Sequence, residues 1–373
     1  MTYQITRPAW AEIDTSKIAS NVKYISSILP KNTDILGVVK ANGYGHGAVE
    51  SGKIALENGV RYLGVAMLDE GLELRRAGID APILIMGHIF QKHVKSVVEN
   101  DMTTIVASID LAKELSKTAV TLGKKAKIHI KMDTGMNRIG IFPSGAKEFV
   151  CEVAKLPSLE IEGICSHLGT ADCDKDFARS QIALFLDTVN EIEKCGIHIP
   201  IRHIANTAAA ISIKESALDM VRVGIAMYGM SYTQNPEDTK ELLPALELKT
   251  SVEYLKHIDK GDAIGYGASY VAKGRELIAT LPIGYADGYS RGLSTDGEVL
   301  IGGTRCAIVG RICMDQMMVK IPNSTDICIG QEVVLIGKQG TEEIRVEELS
   351  HKLDTINYEI TCNINPRVQR VYI

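Results

Sequence analysis

The sequence predicts an α/β fold in which an N-terminal (β/α)8 TIM barrel is followed by a mostly β C-terminal domain. Eight short apolar, β-branched segments alternate with helical patterns over about 200 residues, the usual size of such a barrel. The polar stretch 231–244 carries two prolines and indicates a linker. Beyond it, helical periodicity nearly disappears and short strand-like segments alternate with Gly, Asp and Pro.

The predicted domains are therefore residues 1–239 and 240–373, with the option that the first residues pair with the C-terminal domain. The eight segments are continuous apolar runs, which suit strands buried on both faces. They are residues 35–39, 62–67, 81–86, 103–106, 126–132, 159–165, 199–204 and 220–225. The alternative fold is an open doubly wound sheet, which usually needs fewer strands.

Capping residues are expected to define the helices between these strands. Asp14 is predicted to cap the first helix, because apolar residues follow it at helical spacing. Asp69 and Ser108 are predicted to cap two further helices, which end at Gly78 and Gly123.

The composition excludes several classes of function. Lys and Arg number 41 and Asp and Glu 46, so the net charge of −5 offers no basic surface for nucleic acid or an anionic membrane. Eight cysteines without a CxxC pair predict no disulfide scaffold and no metal site, and they favour a cytoplasmic location. We expect neither a signal peptide nor a membrane span.

Polar residues follow the predicted strands where a barrel carries its chemistry, at the carboxyl ends. Lys40 ends the first strand and precedes three glycines within seven residues. Burial at this position would lower the pKa of the lysine and free its amine as a nucleophile or base. The alternative is a lysine that only reaches the rim of the barrel.

Residues after the seventh and eighth strands suit a phosphate group, which barrels commonly bind there. Asn206 and Thr207 offer an amide and a hydroxyl, and Gly224 and Ile225 offer backbone N–H groups. The alternative is ordinary helix capping by Asn206 or Thr207. Together with Lys40, a phosphate cradle in the same barrel mouth suggests pyridoxal 5'-phosphate (PLP).

The sequence resembles the alanine racemase family, which belongs to the fold-III group of PLP enzymes, over almost its whole length. Nine motifs carry the resemblance in order. They are VVKANGYGHG at 38–47, KMDTGMNRIG at 131–140, SHLGT at 166–170, HIANTAA at 203–209, VRVGIAMYG at 221–229, GYGASY at 265–270, LPIGYADGY at 281–289, GRICMDQ at 310–316 and NYEITCNINPRVQRVY at 357–372. The resemblance implies a homodimer with composite active sites that interconverts L-alanine and D-alanine, supplying D-alanine for peptidoglycan.

The family pattern also implies the chemical roles. Lys40 would bind PLP covalently and act as one base, and Tyr266 of the partner subunit would act as the second base on the opposite face. Arg138 would orient the substrate carboxylate, and His167 would lie beside the cofactor. Arg222 would face the pyridine nitrogen, which must then accept a hydrogen bond because arginine only donates.

The remaining positions follow from the same resemblance. The family's phosphate-pocket positions are Tyr44, Asn206, Thr207, Gly224, Ile225 and Tyr358. Met314 and Tyr285 would line the substrate pocket, and Tyr285 and Tyr358 would narrow its entrance. Lys131 matches a lysine that is carbamylated in many members.

Two other functions remain open from the sequence. The chain could racemise another small amino acid such as serine, although the small predicted pocket argues against larger substrates. It could also be a non-catalytic PLP-binding protein. Such proteins usually lack the second β domain that is predicted here.

Overall fold

A computed structural model describes residues 7–233, 239–322 and 326–373. These residues form two compact units. The barrel unit comprises residues 18–43 and 47–242, and the β unit comprises residues 7–17, 44–46 and 243–373. Part of the predicted linker, 234–238, and residues 1–6 of the predicted first domain lie outside the described residues.

The first strand, β1 (Ala9–Ile13), belongs to the β unit. Eight parallel strands then form the wall of the barrel unit, each within one of the eight predicted segments or one residue ahead of it. They are β2 (Asp34–Val38), β3 (Tyr62–Val65), β4 (Ile83–Ile85), β5 (Thr103–Val106), β6 (Ala126–Lys131), β7 (Leu159–Cys165), β8 (Ile201–His203) and β9 (Met220–Val223). The continuous burial of β4, β5 and β9 explains why largely apolar runs predicted them.

Sequence neighbours pair from β2 through β8, and β9 pairs with β2. Two backbone hydrogen bonds join β8 and β9, and each pairs a residue of one strand with a residue that flanks the other. Asp219 N–H donates to Arg202 O at 3.2 Å, and Arg222 N–H donates to Ala205 O at 3.1 Å. The predicted eight-stranded barrel is confirmed.

Helices separate the barrel strands and carry the predicted caps, with one exception. They are α1 (Thr15–Ile28), α2 (Lys40–Tyr44), α3 (Ala48–Glu57), α4 (Leu68–Arg76), α5 (Val94–Glu99), α6 (Ile109–Leu122), α7 (Pro143–Val153), α8 (Lys175–Glu193) and α9 (Thr207–Ser212). Asp14 accepts backbone N–H bonds from the start of α1, and Ser108 accepts the Leu111 N–H at 3.2 Å. Among the described helices, none has the length and apolar character to cross a membrane.

The prediction that Asp69 caps its helix is wrong. Helix α4 begins at Leu68, so Asp69 lies within its first turn. Glu70 instead accepts the N–H groups of Ala66 and Met67, at 2.7 Å and 3.3 Å. A carboxylate one residue later therefore satisfies the backbone donors ahead of the helix.

The β unit is built on one large mixed sheet, which β1 joins between β10 and β20. The remaining strands are β10 (Leu246–Ser251), β11 (Tyr254–Ile258), β12 (Ala263–Ile264), β13 (Tyr270–Val271), β14 (Glu276–Leu281), β15 (Glu298–Ile301), β16 (Thr304–Val309), β17 (Met317–Ile321), β18 (Glu332–Gln339), β19 (Glu342–Ile344) and β20 (Gln369–Tyr372). The predicted mostly β character of this region is confirmed. Two helices were not predicted, α10 (Val346–Lys352) and α11 (Asn357–Cys362), because one or two turns give too short a period to detect.

Candidate active site

Lys40 begins a turn with an unusual backbone at the carboxyl end of β2. Ala41, Asn42 and Gly43 have φ angles of 51°, 53° and 60°, so the chain turns left-handed immediately after the lysine. Left-handed geometry costs roughly 1–2 kcal/mol for each residue that carries a Cβ atom. The surrounding structure must therefore stabilise this turn.

Two side chains of the barrel unit hold the turn. The Glu70 carboxylate accepts the Ala41 N–H at 2.7 Å, and the Asn42 side chain accepts the Ala48 N–H at 3.1 Å. The Asn42 carbonyl also accepts the Gly47 N–H at 2.8 Å. The position of Lys40 is thus fixed by hydrogen bonds to α3 and α4, both of which follow barrel strands.

Arg222 is buried on β9, the strand that pairs with β2. Its guanidinium donates to the carbonyls of Ser166 and Ile204 at 2.9 Å and 3.0 Å, and to Nδ1 of His203 and His167 at 2.8 Å and 3.0 Å. Burial lowers the pKa of Arg222 from its ordinary value, but arginine remains protonated. The guanidinium is a cation with a fixed orientation.

Positive charges at the barrel mouth change the pKa of His167. Burial, followed by the charges of Arg222, Arg138, Lys131 and Lys40, lowers the pKa of His167 to about 2. The imidazole is therefore neutral and is surrounded by four cationic side chains. Such a site suits a ligand with a phosphate and a carboxylate.

Lys131 lies on β6 and is largely buried among charged neighbours. Its Nζ donates to Met132 O at 3.1 Å. Burial lowers the pKa of Lys131, and the charges of Arg222 and Arg138 lower it further. This amine therefore loses its proton more readily than the amine of an exposed lysine.

Arg138 follows a loop that Asp133 organises. The Asp133 carboxylate accepts the N–H groups of Gly135 and Asn137 at 2.9 Å and 3.0 Å. Although burial raises the pKa of Asp133, these backbone donors lower it below its ordinary value. An ionised Asp133 therefore holds the loop that presents Arg138.

The predicted phosphate residues lie at the start of α9 and after β9. The Asn206 side chain caps α9 by accepting the Ala209 N–H at 3.0 Å, which is the capping role that the sequence left open. Thr207 Oγ1 accepts the Gly224 N–H at 3.0 Å, so the hydroxyl keeps its own proton to donate. The structure thus brings Thr207 and Gly224 together, and Ile225 follows directly.

Hydrogen bonds lead from Arg222 to three residues without a role predicted from the sequence, the buried His203 and His129 and the partly buried Glu162. His203 contacts His129, and His129 contacts Glu162. His203 was noted at a strand end, but His129 and Glu162 were not candidates. The one available signal was the spacing of His129 and Lys131, which places both side chains on the same face of β6.

The barrel mouth fits PLP by the chemistry of its donors. The Lys40 amine can bond to an aldehyde, and the buried guanidinium of Arg222 can donate to a ring nitrogen from the neighbouring strand. The Thr207 hydroxyl, which accepts the Gly224 N–H, can donate its own proton to a phosphate. The amine, the guanidinium and the hydroxyl thus suit the aldehyde, the ring nitrogen and the phosphate of the cofactor.

The β unit holds the other predicted residues. Tyr44 is buried against Tyr358, with ring centroids 5.7 Å apart. The Tyr285 N–H donates to the Cys313 carbonyl at 3.1 Å, and the Ala286 N–H donates to the Met314 carbonyl at 3.0 Å. These bonds bring Tyr285 and Met314 together. Both side chains are exposed in the single chain, to 41% and 53%.

Tyr266 lies in a short turn between β12 and β13 and is 71% exposed. Its neighbours Gly265 and Gly267 have φ angles of 71° and 73°, which favour glycine. A Cβ atom at Gly267 would lie 3.7 Å from the Arg311 guanidinium carbon. The two glycines therefore permit the turn that leaves the phenol exposed, and Arg311 lies against Gly267 of the same turn.

Comparisons with known proteins agree along the whole chain. The model for the alanine racemase N-terminal domain matches residues 13–232, and the model for the alanine racemase C-terminal domain matches residues 245–372. An alanine racemase of Methanococcus maripaludis is 44% identical over 372 residues, covering 99% of this chain and all of the relative. One of Halothermothrix orenii is 42% identical, covering 100% of this chain and 98% of the relative.

Solved structures give the same result. An alanine racemase of Clostridium difficile superposes with a TM-score of 0.95 at 39% identity, covering 99% of this chain and 97% of that one. The alanine racemase of Bacillus anthracis with bound L-Ala-P has a TM-score of 0.94 at 40% identity, covering 100% of this chain and 96% of that one. With both domains matched in order and full-length relatives above 40% identity, this chain belongs to the alanine racemase family.

Proposed function

We propose that this enzyme, a PLP-dependent isomerase of alanine, uses Lys40 and Tyr266 as its two bases. Racemisation requires one group to remove the Cα proton and another to return a proton to the opposite face. The observation that carries the proposal is the barrel mouth, where the Arg222 guanidinium lies 3.0 Å from the neutral His167 and the charges of Arg138, Lys131 and Lys40 also lower the pKa of that histidine. Lys40 begins a left-handed turn after the carboxyl end of β2.

Each side chain then has a defined task. When bound, PLP supplies an electron sink for the negative charge that develops at the substrate Cα. Arg138 orients the substrate carboxylate, and Lys40 and Tyr266 each hold or release a proton at Cα. Because Arg222 only donates, it keeps the ring nitrogen unprotonated and the sink weak, which limits side reactions such as transamination.

The residues at the family's phosphate positions are assigned to the cofactor phosphate. We assign Asn206, Thr207, Gly224 and Ile225 to it, together with Tyr44 and Tyr358. Burial raises the pKa of Tyr44, so its hydroxyl remains protonated and is able to donate.

The active site would be shared between the two subunits of a homodimer. Tyr266, Tyr285 and Met314 are large side chains that the single chain leaves exposed, which supports a role against the partner. Residues 1–239 would bind PLP, and residues 240–373 would complete the partner's active site. Tyr285 and Tyr358 would restrict the entrance to small side chains.

A racemase assay tests the proposal. Purified protein loaded with PLP is expected to interconvert L-alanine and D-alanine and to wash solvent deuterium into Cα of both enantiomers. The kcat/KM for alanine should exceed that for serine, because the entrance is narrow. A protein that takes up no PLP, or that exchanges no Cα hydrogen, would contradict the proposal.

Carbamylation of Lys131 is a further expected result. The lowered pKa of this buried amine favours reaction with CO2, and the resulting carbamate would bear a negative charge beside Arg138. Enzyme prepared in 13C-bicarbonate should give a carbamate signal in 13C NMR. Lys131→Ala should abolish that signal, and Lys127→Ala on the same strand should retain it. A signal that survives Lys131→Ala would assign the modification elsewhere.

The biological setting follows from the reaction. We propose that the enzyme is cytoplasmic and supplies D-alanine for peptidoglycan. All eight cysteines are free thiols in the described residues, which supports a reducing compartment. D-alanine auxotrophy after deletion of the gene, with relief by added D-alanine, would distinguish this biosynthetic role from a catabolic one.

A further inference from the structure

A chain of hydrogen bonds leads from Arg222 through the barrel interior to the carboxylate of Glu162. Arg222 Nη1 lies 2.8 Å from His203 Nδ1, His203 Nε2 lies 2.7 Å from His129 Nδ1, and His129 Nε2 lies 3.1 Å from Glu162 Oε2. Both histidines are fully buried. The three bonds connect Arg222, a residue of the candidate active site, to Glu162, which lies outside the nine sequence motifs.

The donors and acceptors fix the direction of this chain. Arginine only donates, so His203 must accept at Nδ1 and carry its proton on Nε2. That proton is donated to His129 Nδ1, which leaves the proton of His129 on Nε2. His129 then donates this proton to Glu162, because an ionised carboxylate can only accept hydrogen bonds. Arginine at one end and a carboxylate at the other thus permit a single arrangement of protons.

The charges agree with this direction. Burial, followed by the charge of Arg222, lowers the pKa of His203 well below its ordinary value, so the ring is neutral. Burial raises the pKa of Glu162, but the hydrogen bond from His129, the charge of Lys127 and the hydrogen bond from Thr103 outweigh it, and the net shift is downward. A guanidinium and a carboxylate therefore face each other across two imidazoles.

The backbone provides a specific place for Glu162. In the parallel pair β6–β7, Ile128 lies opposite Ile161 and His129 lies opposite Gly163, so Glu162 is the extra residue of a β-bulge. Bulges redirect a side chain and are frequent near active sites. A Cβ atom at Gly163 would lie only 2.8 Å from His129 Cε1, so the glycine leaves room for the ring.

We propose that Glu162 is a positioning residue for the reaction, acting on Arg222 through His129 and His203. Its carboxylate accepts the His129 Nε2 proton at the far end of the chain of hydrogen bonds that Arg222 begins, and so holds both rings and the guanidinium in the orientation that meets the cofactor ring. Carboxylates that orient histidines play the same part at metal sites. The inference rests on the proposed function in one respect, the assignment of Arg222 to the ring nitrogen.

Glu162 also has contacts that do not involve Arg222, and these provide matched controls. Thr103 Oγ1 donates to Glu162 Oε2 at 3.1 Å, and Lys127 Nζ lies 3.6 Å from Oε1. Thr103→Val and Lys127→Met remove these contacts and leave the histidines in place. If Glu162 served only local structure, the two control variants would reproduce the effect of losing its charge.

The experiment compares the PLP-loaded wild type with Glu162→Gln, Glu162→Asp and the two controls. In 15N-histidine NMR, His129 and His203 of the wild type are expected to carry their protons on Nε2. Glu162→Gln keeps the size but removes the charge, so its amide oxygen accepts the His129 Nε2 proton more weakly and the 1H shift of that proton is expected to move upfield. We expect kcat to fall about 10-fold and the KM for alanine to change less than about twofold.

Glu162→Asp should restore part of the wild-type shift of the His129 Nε2 proton and part of kcat, while Thr103→Val and Lys127→Met should match the wild type. The inference fails if the wild type carries either proton on Nδ1, a result that needs no variant to fold. It also fails if Glu162→Gln keeps both the wild-type shift of the His129 Nε2 proton and the wild-type kcat, or if the controls lower kcat equally. A wild type that binds no PLP would instead refute the proposed function, whatever the tautomers.

Discussion

Lys40→Ala is expected to abolish stable PLP binding and to lower racemisation on the order of 10⁴-fold or more, since it removes both a nucleophile and a base. The remaining cationic side chains around His167 would still attract the cofactor, but no covalent bond would retain it. The visible absorption of the purified variant and its kcat measure the two losses separately.

Small primary amines provide a sharper test of this assignment. Added methylamine should restore part of the activity of Lys40→Ala, because it supplies the missing amine without a tether. Lys53→Ala, an exposed lysine of the following helix, serves as the control and should resemble the wild type. A Lys40→Ala enzyme that remains yellow after dialysis and fully active would disprove the assignment.

Tyr266→Phe is expected to retain PLP and to lose racemisation by roughly 10²–10⁴-fold, the usual contribution of a positioned acid or base. In a two-base mechanism, the loss of Cα hydrogen exchange differs between the two enantiomers. Lys40 can still remove and return a proton on its own face, so one enantiomer should exchange its Cα hydrogen with deuterated water without inversion. The measurement is deuterium content against enantiomeric composition for each starting enantiomer.

Tyr270→Phe is the matched control, because Tyr270 lies four residues away on β13 and hydrogen-bonds to Glu276 at 2.5 Å. It should lower stability slightly and leave both exchange reactions intact. If Tyr266→Phe racemised at the wild-type rate, or lost exchange of both enantiomers equally, Tyr266 would not be the second base.

Most of the fold could be predicted from the sequence because its signals are local. A parallel strand buried on both faces favours a continuous apolar run, and β3 and β4 lie in such runs, whereas β6 and β7 include charged residues at alternate positions. Caps such as Ser108 depend on a single side chain and the next three residues. Asp69 was misassigned because α4 already begins at Leu68, and Glu70 accepts the N–H groups of Ala66 and Met67 ahead of it.

The site could be predicted in part, and the missing part depends on register. Lys40 follows β2 and Arg222 lies in the neighbouring strand β9, so their positions follow from the barrel and from family motifs. Glu162 is different, because its role arises from a bulge that shifts β7 by one residue against His129. A run of hydrophobic residues predicts where a strand lies, but it does not predict the register in which two strands pair.

The place of β1 in its sheet has a consequence during synthesis of the protein. Its partners, β10 and β20, are translated more than 230 and 350 residues after it. At 5–20 residues per second, roughly 10–50 s pass before β10 emerges from the ribosome. We expect the barrel strands to assemble in this interval while the first strand waits unpaired, so that the β unit is completed only when the final residues of the chain are released.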